Sequence, residues 1–174
     1  ESVARAVTKA ANVAYLAQPA PTSPATTPPA GIAAITGVVP AAADVTGDLD
    51  VLVDLLATLQ ANGAQPSHIL LSPTAWARLR KMKIGDDFNA SLLGAGTEDA
   101  AQRLLGIPAI VTPALATGKG LVLDKTAIMS AVGDLAVATS EHFYFGSDNV
   151  ALRCTWRFGQ NLVKPNRIGT FNVA

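Results

Sequence analysis

Asn149-Val150-Ala151-Leu152-Arg153-Cys154-Thr155-Trp156-Arg157-Phe158 alternates without interruption. Val150, Leu152, Cys154, Trp156 and Phe158 fall on one side, and Ala151, Arg153, Thr155 and Arg157 on the other. A period of two with one apolar side predicts a half-buried β-strand, because successive Cβ atoms point to opposite faces of a sheet. No other segment is as long or as regular. It lies near the end of the chain, so its partners are made mostly from earlier residues. Leu135 to Ser140 alternates more weakly and is the expected partner strand. His142 to Asn149 reads as a loop between the two. Gln160 to Lys164 and Ile168 to Val173 read as further strands.

The rest of the chain divides into punctuated segments. Glu1 to Ala17 is helix-forming, with Val3, Val7, Ala10, Ala14 and Ala17 on one stripe and Val13 and Leu16 widening it. Gln18 to Pro29 carries five prolines; without an N–H and with φ fixed, these favour an extended connector. Gly31 to Pro40 suggests a short strand. Asp48 to Asn62 is the best helix. Leu49, Leu52, Val53, Leu56 and Leu59 follow helical spacing, Thr46 or Asp48 caps the start, and Asn62-Gly63 ends it. Val51 and Leu55 fall off that stripe and suggest burial on a second side. His68 to Leu71 is an apolar strand. Ser72-Pro73 then opens a helix in which Trp76 and Leu79 face inward. Ile84 to Gly96 is polar and reads as a loop, and Thr97 to Leu105 as a short helix. Ile107 to Thr112 and Gly120 to Asp124 are strands. Lys125 to Val132 fits neither periodicity.

Composition narrows the function classes. The 174 residues suffice for one domain or two small ones with a real core. Apolar residues make up 49% and charged residues 15%, with a formal net charge of zero. Such a balance favours association and argues against a dedicated nucleic-acid binder. No apolar run is long enough to cross a bilayer, so no membrane partner is expected. The single cysteine excludes an internal disulfide and a thiolate metal cluster. Because the sequence starts at Glu1 without a leader, it reads as a fragment or a processed product.

No catalytic or cofactor-binding constellation emerges, and neither a metal nor a cofactor is expected. Cys154 lies between apolar neighbours, where a thiol is inert. Hydrolysis through Cys154 with His68 or His142 is therefore disfavoured. Gly118-Lys119-Gly120 lacks P-loop spacing, Gly94 and Gly96 do not follow a strand, and Asp86-Asp87 reads as a solvated pair. Two basic groups remain as contact candidates. Arg78, Arg80, Lys81 and Lys83 end the Ser72 helix; they suit its dipole, or they bind phosphate or an acidic partner. Arg153 and Arg157 stand on one face of the long strand, roughly 13 Å apart. They pair with the chain's own acids or meet solvent, or they contact a neighbouring chain or packaged nucleic acid.

Several segments, in order, resemble the major capsid proteins of tailed bacteriophages and prophages, the Hong Kong 97-type fold. Ile69-Leu70-Leu71-Ser72-Pro73-Thr74-Ala75-Trp76 resembles that family's strand–Asn/Ser-Pro–helix step. Leu104-Leu105-Gly106-Ile107-Pro108-Ala109-Ile110-Val111 resembles its LxGxPV strand. Gly133-Asp134 followed by a strand, then Phe143 to Arg157 and Pro165 to Phe171, resembles its C-terminal run. Ala14 to Ala17 with Pro29-Ala30-Gly31-Ile32 resembles the end of its spine helix.

The resemblance implies an α+β fold with two sub-domains. Residues 1–45 and 133–160 would form a peripheral domain, and 46–132 with 161–174 an axial domain. The family's N-terminal arm and extended loop would precede Glu1. It implies a structural, non-enzymatic subunit that self-assembles into pentamers and hexamers around double-stranded DNA. Its partners would be copies of itself, a portal, and a scaffold or protease, with non-specific contact to packaged DNA. The shell would assemble in the bacterial cytoplasm and reside in the virion. Cross-linking is not expected, since the extended loop is absent and Thr155 stands where a catalytic acid would be wanted. The alternative on the same fold is an encapsulin-type compartment shell hosting an enzyme cargo.

Overall fold

The computed structural model describes residues 2–85, 88–93, 102–147 and 149–174. Helix α1 (Ser2–Ala17) is followed by the proline-rich connector, a 3-10 turn at Ile32–Ala34 and the two-residue strand β1 (Val39–Pro40). Helix α2 (Asp50–Ala61), strand β2 (His68–Leu71) and helix α3 (Pro73–Lys81) come next. Strands β3 (Lys83–Gly85) and β4 (Phe88–Ser91) pair with each other. Strands β5 (Arg103–Leu104), β6 (Ile107–Val111) and β7 (Lys119–Leu123) lead into a long hairpin, β8 (Ile128–Tyr144) and β9 (Asn149–Leu162). Strand β10 (Gly169–Asn172) ends the series.

Six strands form one mixed sheet in the order β1-β10-β7-β2-β6-β5. Its centre, Ile69-Leu70-Leu71 of β2, is apolar at successive positions because both faces are covered. Ile69 and Leu71 join Leu52, Leu55, Leu56 and Leu59 of α2 and Leu79 of α3 in one buried cluster. Leu70 joins Leu121, Leu16, Ile32, Leu162 and Ile168 in a second. So the helices α2 and α3 cover one face, while the end of α1 and the root of the hairpin cover the other.

The step from β2 into α3 forms as the sequence predicts. Ser72 is buried, and its Oγ accepts from the Ala75 N–H at 3.2 Å, with Pro73 in the first helical turn. This satisfies one of the helix's unpaired N–H groups. Other expectations need correction. In α1 the buried residues are Ala11 and Leu16, whereas Val3, Ala10 and Val13 are exposed. In α2 the buried face turns toward Leu55, and Val53 is exposed. The helix starts at Leu49 without a side-chain cap, although the Asp48 carboxylate accepts from the Asp50 N–H at 3.3 Å.

The expected loop at Ile84 to Gly96 contains the β3–β4 ribbon, whose strands are too short to display a period. The expected helix at Thr97 to Leu105 falls partly outside the described residues, as do Asp86-Asp87 and Gly94 and Gly96. Its described end, Arg103–Leu104, is the strand β5. It turns into β6 through Leu105 and Gly106, both at positive φ, as a tight hairpin requires. The expected strand at Gly31 to Pro40 reduces to β1. The expected loop after His142 starts later, because β8 runs to Tyr144. Gln160 to Leu162 continue β9 and are not a separate strand.

The two crossings between sheet and hairpin meet at Asp124, which is fully buried. Its carboxylate accepts from the Thr126 N–H at 2.9 Å, the Thr126 hydroxyl at 2.6 Å and the Gln65 N–H at 3.0 Å. Burial pushes its pKa up, but the bonds from Thr126 and Gln65, with the Arg167 guanidinium behind them, outweigh it and hold the pKa below its ordinary value of 3.8. A lowered folded pKa means the unfolded chain binds this proton more readily. The stabilisation is therefore present above about pH 4 and is lost as pH falls through the folded value. Urea midpoints measured from pH 5 to pH 2.5 are expected to fall, with a shallower fall for Asp124→Asn. Equal slopes would remove Asp124 from the acid response.

Candidate functional site

The hairpin supplies the surface of interest. In its antiparallel ladder, directly opposed residues share a face. Val132 opposes Phe158, Leu135 opposes Trp156, Val137 opposes Cys154 and Thr139 opposes Leu152. Val132 and Leu135 lie three residues apart, which in a regular strand puts them on opposite faces. They share one here because the register shifts between them. A bulge at Gly133-Asp134 resets the alternation. The indole N–H of Trp156 donates to the Gly133 carbonyl at 2.8 Å and so occupies an acceptor the shifted ladder leaves open.

The resulting face carries Val132, Leu135, Val137, Val150, Leu152 and Trp156, all exposed. Val137 is 59% exposed and Val150 62%, values ordinarily seen for surface polar residues. Only the root of this face is covered. There Trp156 and Phe158, with rings 5.4 Å apart, lie beside Ala11, Asn12 and Tyr15 of α1. Together with Ser130 and Val132 they line an apolar cleft of about 270 Å³. The amide of Gln160 donates to the Ala30 carbonyl at 3.2 Å and lies 3.4 Å from that of Ala14. Tyr15 and Ser130 join through their hydroxyls. These contacts fasten the end of α1 to the hairpin root.

The prediction that the apolar side of β9 packs beneath α1 therefore holds for Trp156 and Phe158 and fails for Val150 and Leu152. Cys154 is partly exposed and not buried. His68 is half-buried in β2 and His142 is exposed on β8. They lie on different sheets, and among the described residues no cluster of potential metal ligands forms. No helix among the described residues is long and apolar enough to cross a membrane.

Beyond Met129 at its root, the opposite hairpin face is small and polar, with Ala136, Ala138 and Ala151 around Arg153, Thr155 and Arg157. Arg153 and Arg157 are exposed there. The second basic group is on another layer. Arg78 of α3 donates to the Val173 carbonyl and so anchors the end of the chain, while Arg80, Lys81 and Lys83 are exposed. The sequence missed the tyrosine and glutamine that hold α1, and it missed the buried Asp124. Tyr15 and Gln160 act through partners more than a hundred residues away, and Asp124, besides its local bonds from Thr126, accepts from Gln65, fifty-nine residues away.

Residues 9–173 match the model of the Phage capsid family. No curated protein matches. A structure from Gordonia phage Cozz superposes with a TM-score of 0.74 at 17% identity, over 98% of this chain and 61% of that one. The capsid of an empty GTA particle gives 0.74 at 17% identity, over 99% and 64%. A virus-like particle from Pyrococcus furiosus gives 0.57 at 20% identity, over 81% and 58%. The chain thus spans less than two thirds of the length of each of these structures, which it resembles in fold. The chain belongs to the Phage capsid family and has the Hong Kong 97-like fold.

Proposed function

We propose that this chain is the shell-forming part of a capsid subunit that assembles with copies of itself into pentamers and hexamers enclosing double-stranded DNA. The observation that carries this reading is the open apolar face of the hairpin. Monomeric proteins seldom leave five large apolar side chains such as Val132, Leu135, Val137, Val150 and Leu152 open together on one face. Head-to-tail burial of such a face closes rings and then a shell. A portal and a scaffold or protease complete the expected set of partners, and assembly takes place in the bacterial cytoplasm. The division into peripheral and axial parts draws support from the distinct sheet and hairpin. Their joints at 124–128 and 162–168 lie a few residues outside the expected 133 and 160. Electron microscopy of the full-length protein under assembly conditions tests the reading; a population of stable monomers alone would sink it.

Arg153 and Arg157 then face either the particle interior or a neighbouring subunit. Arg153→Glu with Arg157→Glu is expected to reduce assembled or DNA-filled particles at least tenfold, with a melting temperature near that of the parent. Exposed charges contribute little to folding. Loss of folding would instead assign both arginines a role within the chain. The match to a virus-like particle keeps an encapsulin-type shell as the second reading, at a lower TM-score. Purified particles carrying an enzyme cargo and no DNA would favour it.

A further inference from the structure

The turn between β5 and β6 carries a residue that neither its backbone nor its exposure favours. Arg103 and Leu104 pair with Pro108 and Ile107 across Leu105 and Gly106. Both turn residues have positive φ, 51° at Leu105 and 78° at Gly106. A two-residue turn of this kind selects Asn-Gly or Asp-Gly. In the left-handed region a Cβ crowds the following carbonyl oxygen, and a short polar side chain offsets this with a local hydrogen bond. Leu105 has the crowding and no such bond to make. For a bulky residue this φ is an outlier.

Packing within the chain does not account for it. Leu104 is 1% exposed and belongs to the core, whereas its neighbour Leu105 is 41% exposed. A Cβ placed on Gly106 would meet nothing within 4 Å, so the turn has open space beside it. Strand β5 is the last at its end of the six-stranded sheet. Next to the turn, Pro108 and Ile110 of β6 share one face and are exposed as well. Backbone strain that a chain's own contacts leave uncompensated points to a function for the strained residue.

We propose that Leu105 is a contact residue between subunits, its side chain buried against a second copy of this chain when the shell forms. The proposal rests on the assembly reading and adds to it a surface at the edge of the sheet. A second copy is the fitting partner because a head-to-tail contact joins two different surfaces of one chain. The open hairpin face is one apolar surface; the turn is another, on a different sheet. The strain at Leu105 is then borne by the free subunit and offset by burial in the shell.

Two variants of the full-length protein separate strain from contact. Leu105→Asn gives the turn its preferred residue. It is expected to raise the melting temperature of the unassembled subunit by about 2–4 °C. It is expected to lower particle yield about tenfold or more, since a buried leucine is lost from every contact. Leu105→Met keeps a large apolar side chain at the same φ and is expected to assemble as the parent does. Thermal unfolding below the assembly concentration reads the first effect, and sedimentation above it reads the second. Parental particle yield from Leu105→Asn overturns the proposal and leaves the assembly reading in place. A lowered melting temperature in Leu105→Asn overturns it too, because Leu105 would then be packing within its own subunit. So does an equal loss of particles in both variants, which would tie the yield to the turn and not to an apolar contact. A parent that forms no particles sinks the assembly reading itself, and this proposal with it.

Discussion

Aspartate at both Val137 and Leu152 is expected to abolish particle formation by the full-length protein while leaving the subunit folded. Both side chains are already at least half exposed in the isolated chain, so folding gains little from them. Surface substitutions of this kind usually change stability by about 0.5 kcal/mol or less. Assembly is different. Burying a valine or leucine side chain contributes roughly 1.5–3 kcal/mol, and that contribution disappears at two positions. Two carboxylates must then be buried as well, or the contact stays open. A loss of about 3 kcal/mol per contact corresponds to more than a hundredfold in the association constant. A shell repeats each contact many times, so the effect on particle yield is larger still. Sedimentation and negative-stain microscopy read the particles; circular dichroism reads the fold. Normal particles from the double variant would remove the hairpin face from the set of contacts.

The centre of the sheet and the pairing of Leu135–Ser140 with the Asn149–Phe158 strand were legible in the sequence; the full length of the hairpin and what covers its faces were not. Ile69-Leu70-Leu71-Ser72-Pro73 announces a buried strand and a capped helix with purely local signals, and both form there. The hairpin depends on signals that local reading distorts. Gly133-Asp134 shifts the alternation by one, so Ile128 to Val132 appears to belong to a different face from Leu135 to Ser140. Once the bulge is known, Ile128 and Val132 fall on the same side as Leu135 and Val137.

Burial misled in a second way. Strict alternation in Asn149 to Phe158 separates an apolar face from a polar one, but alternation does not say what covers the apolar face. Within this chain only the Trp156 end is covered. A face prepared for another chain and a face prepared for the core have the same pattern. The polar joint was illegible for a third reason: Asp124, Gln65 and Arg167 are far apart in sequence, and only the fold makes them neighbours.

Gly120→Ala is expected to cost the folded chain about 2–3 kcal/mol through overpacking, and this cost is expected to vanish when Phe171 is removed. Gly120 of β7 lies directly opposite Phe171 of β10. A Cβ built on Gly120 would come within 2.2 Å of the Phe171 ring and within 2.7 Å of two further ring atoms. The ring cannot simply tilt away. Phe171 is 3% exposed and shares its cluster with Leu52, Leu55 and Val122. To admit a methyl group, either the two strands part or the ring leaves its site. Phe171→Ala alone is expected to cost about 3–5 kcal/mol, from lost burial and the cavity left behind. The double variant separates packing from backbone conformation. Gly120 is not among the glycines at positive φ, so alanine fits its backbone. In a strand, alanine should even be slightly favoured over glycine once the clash is gone. The double variant is therefore expected to be as stable as Phe171→Ala or a little more stable, with a coupling of about 2 kcal/mol. Urea midpoints for the four chains of this cycle measure it. Additive costs would mean that the ring does not rest on the glycine, and that the pairing of β7 with β10 has another register.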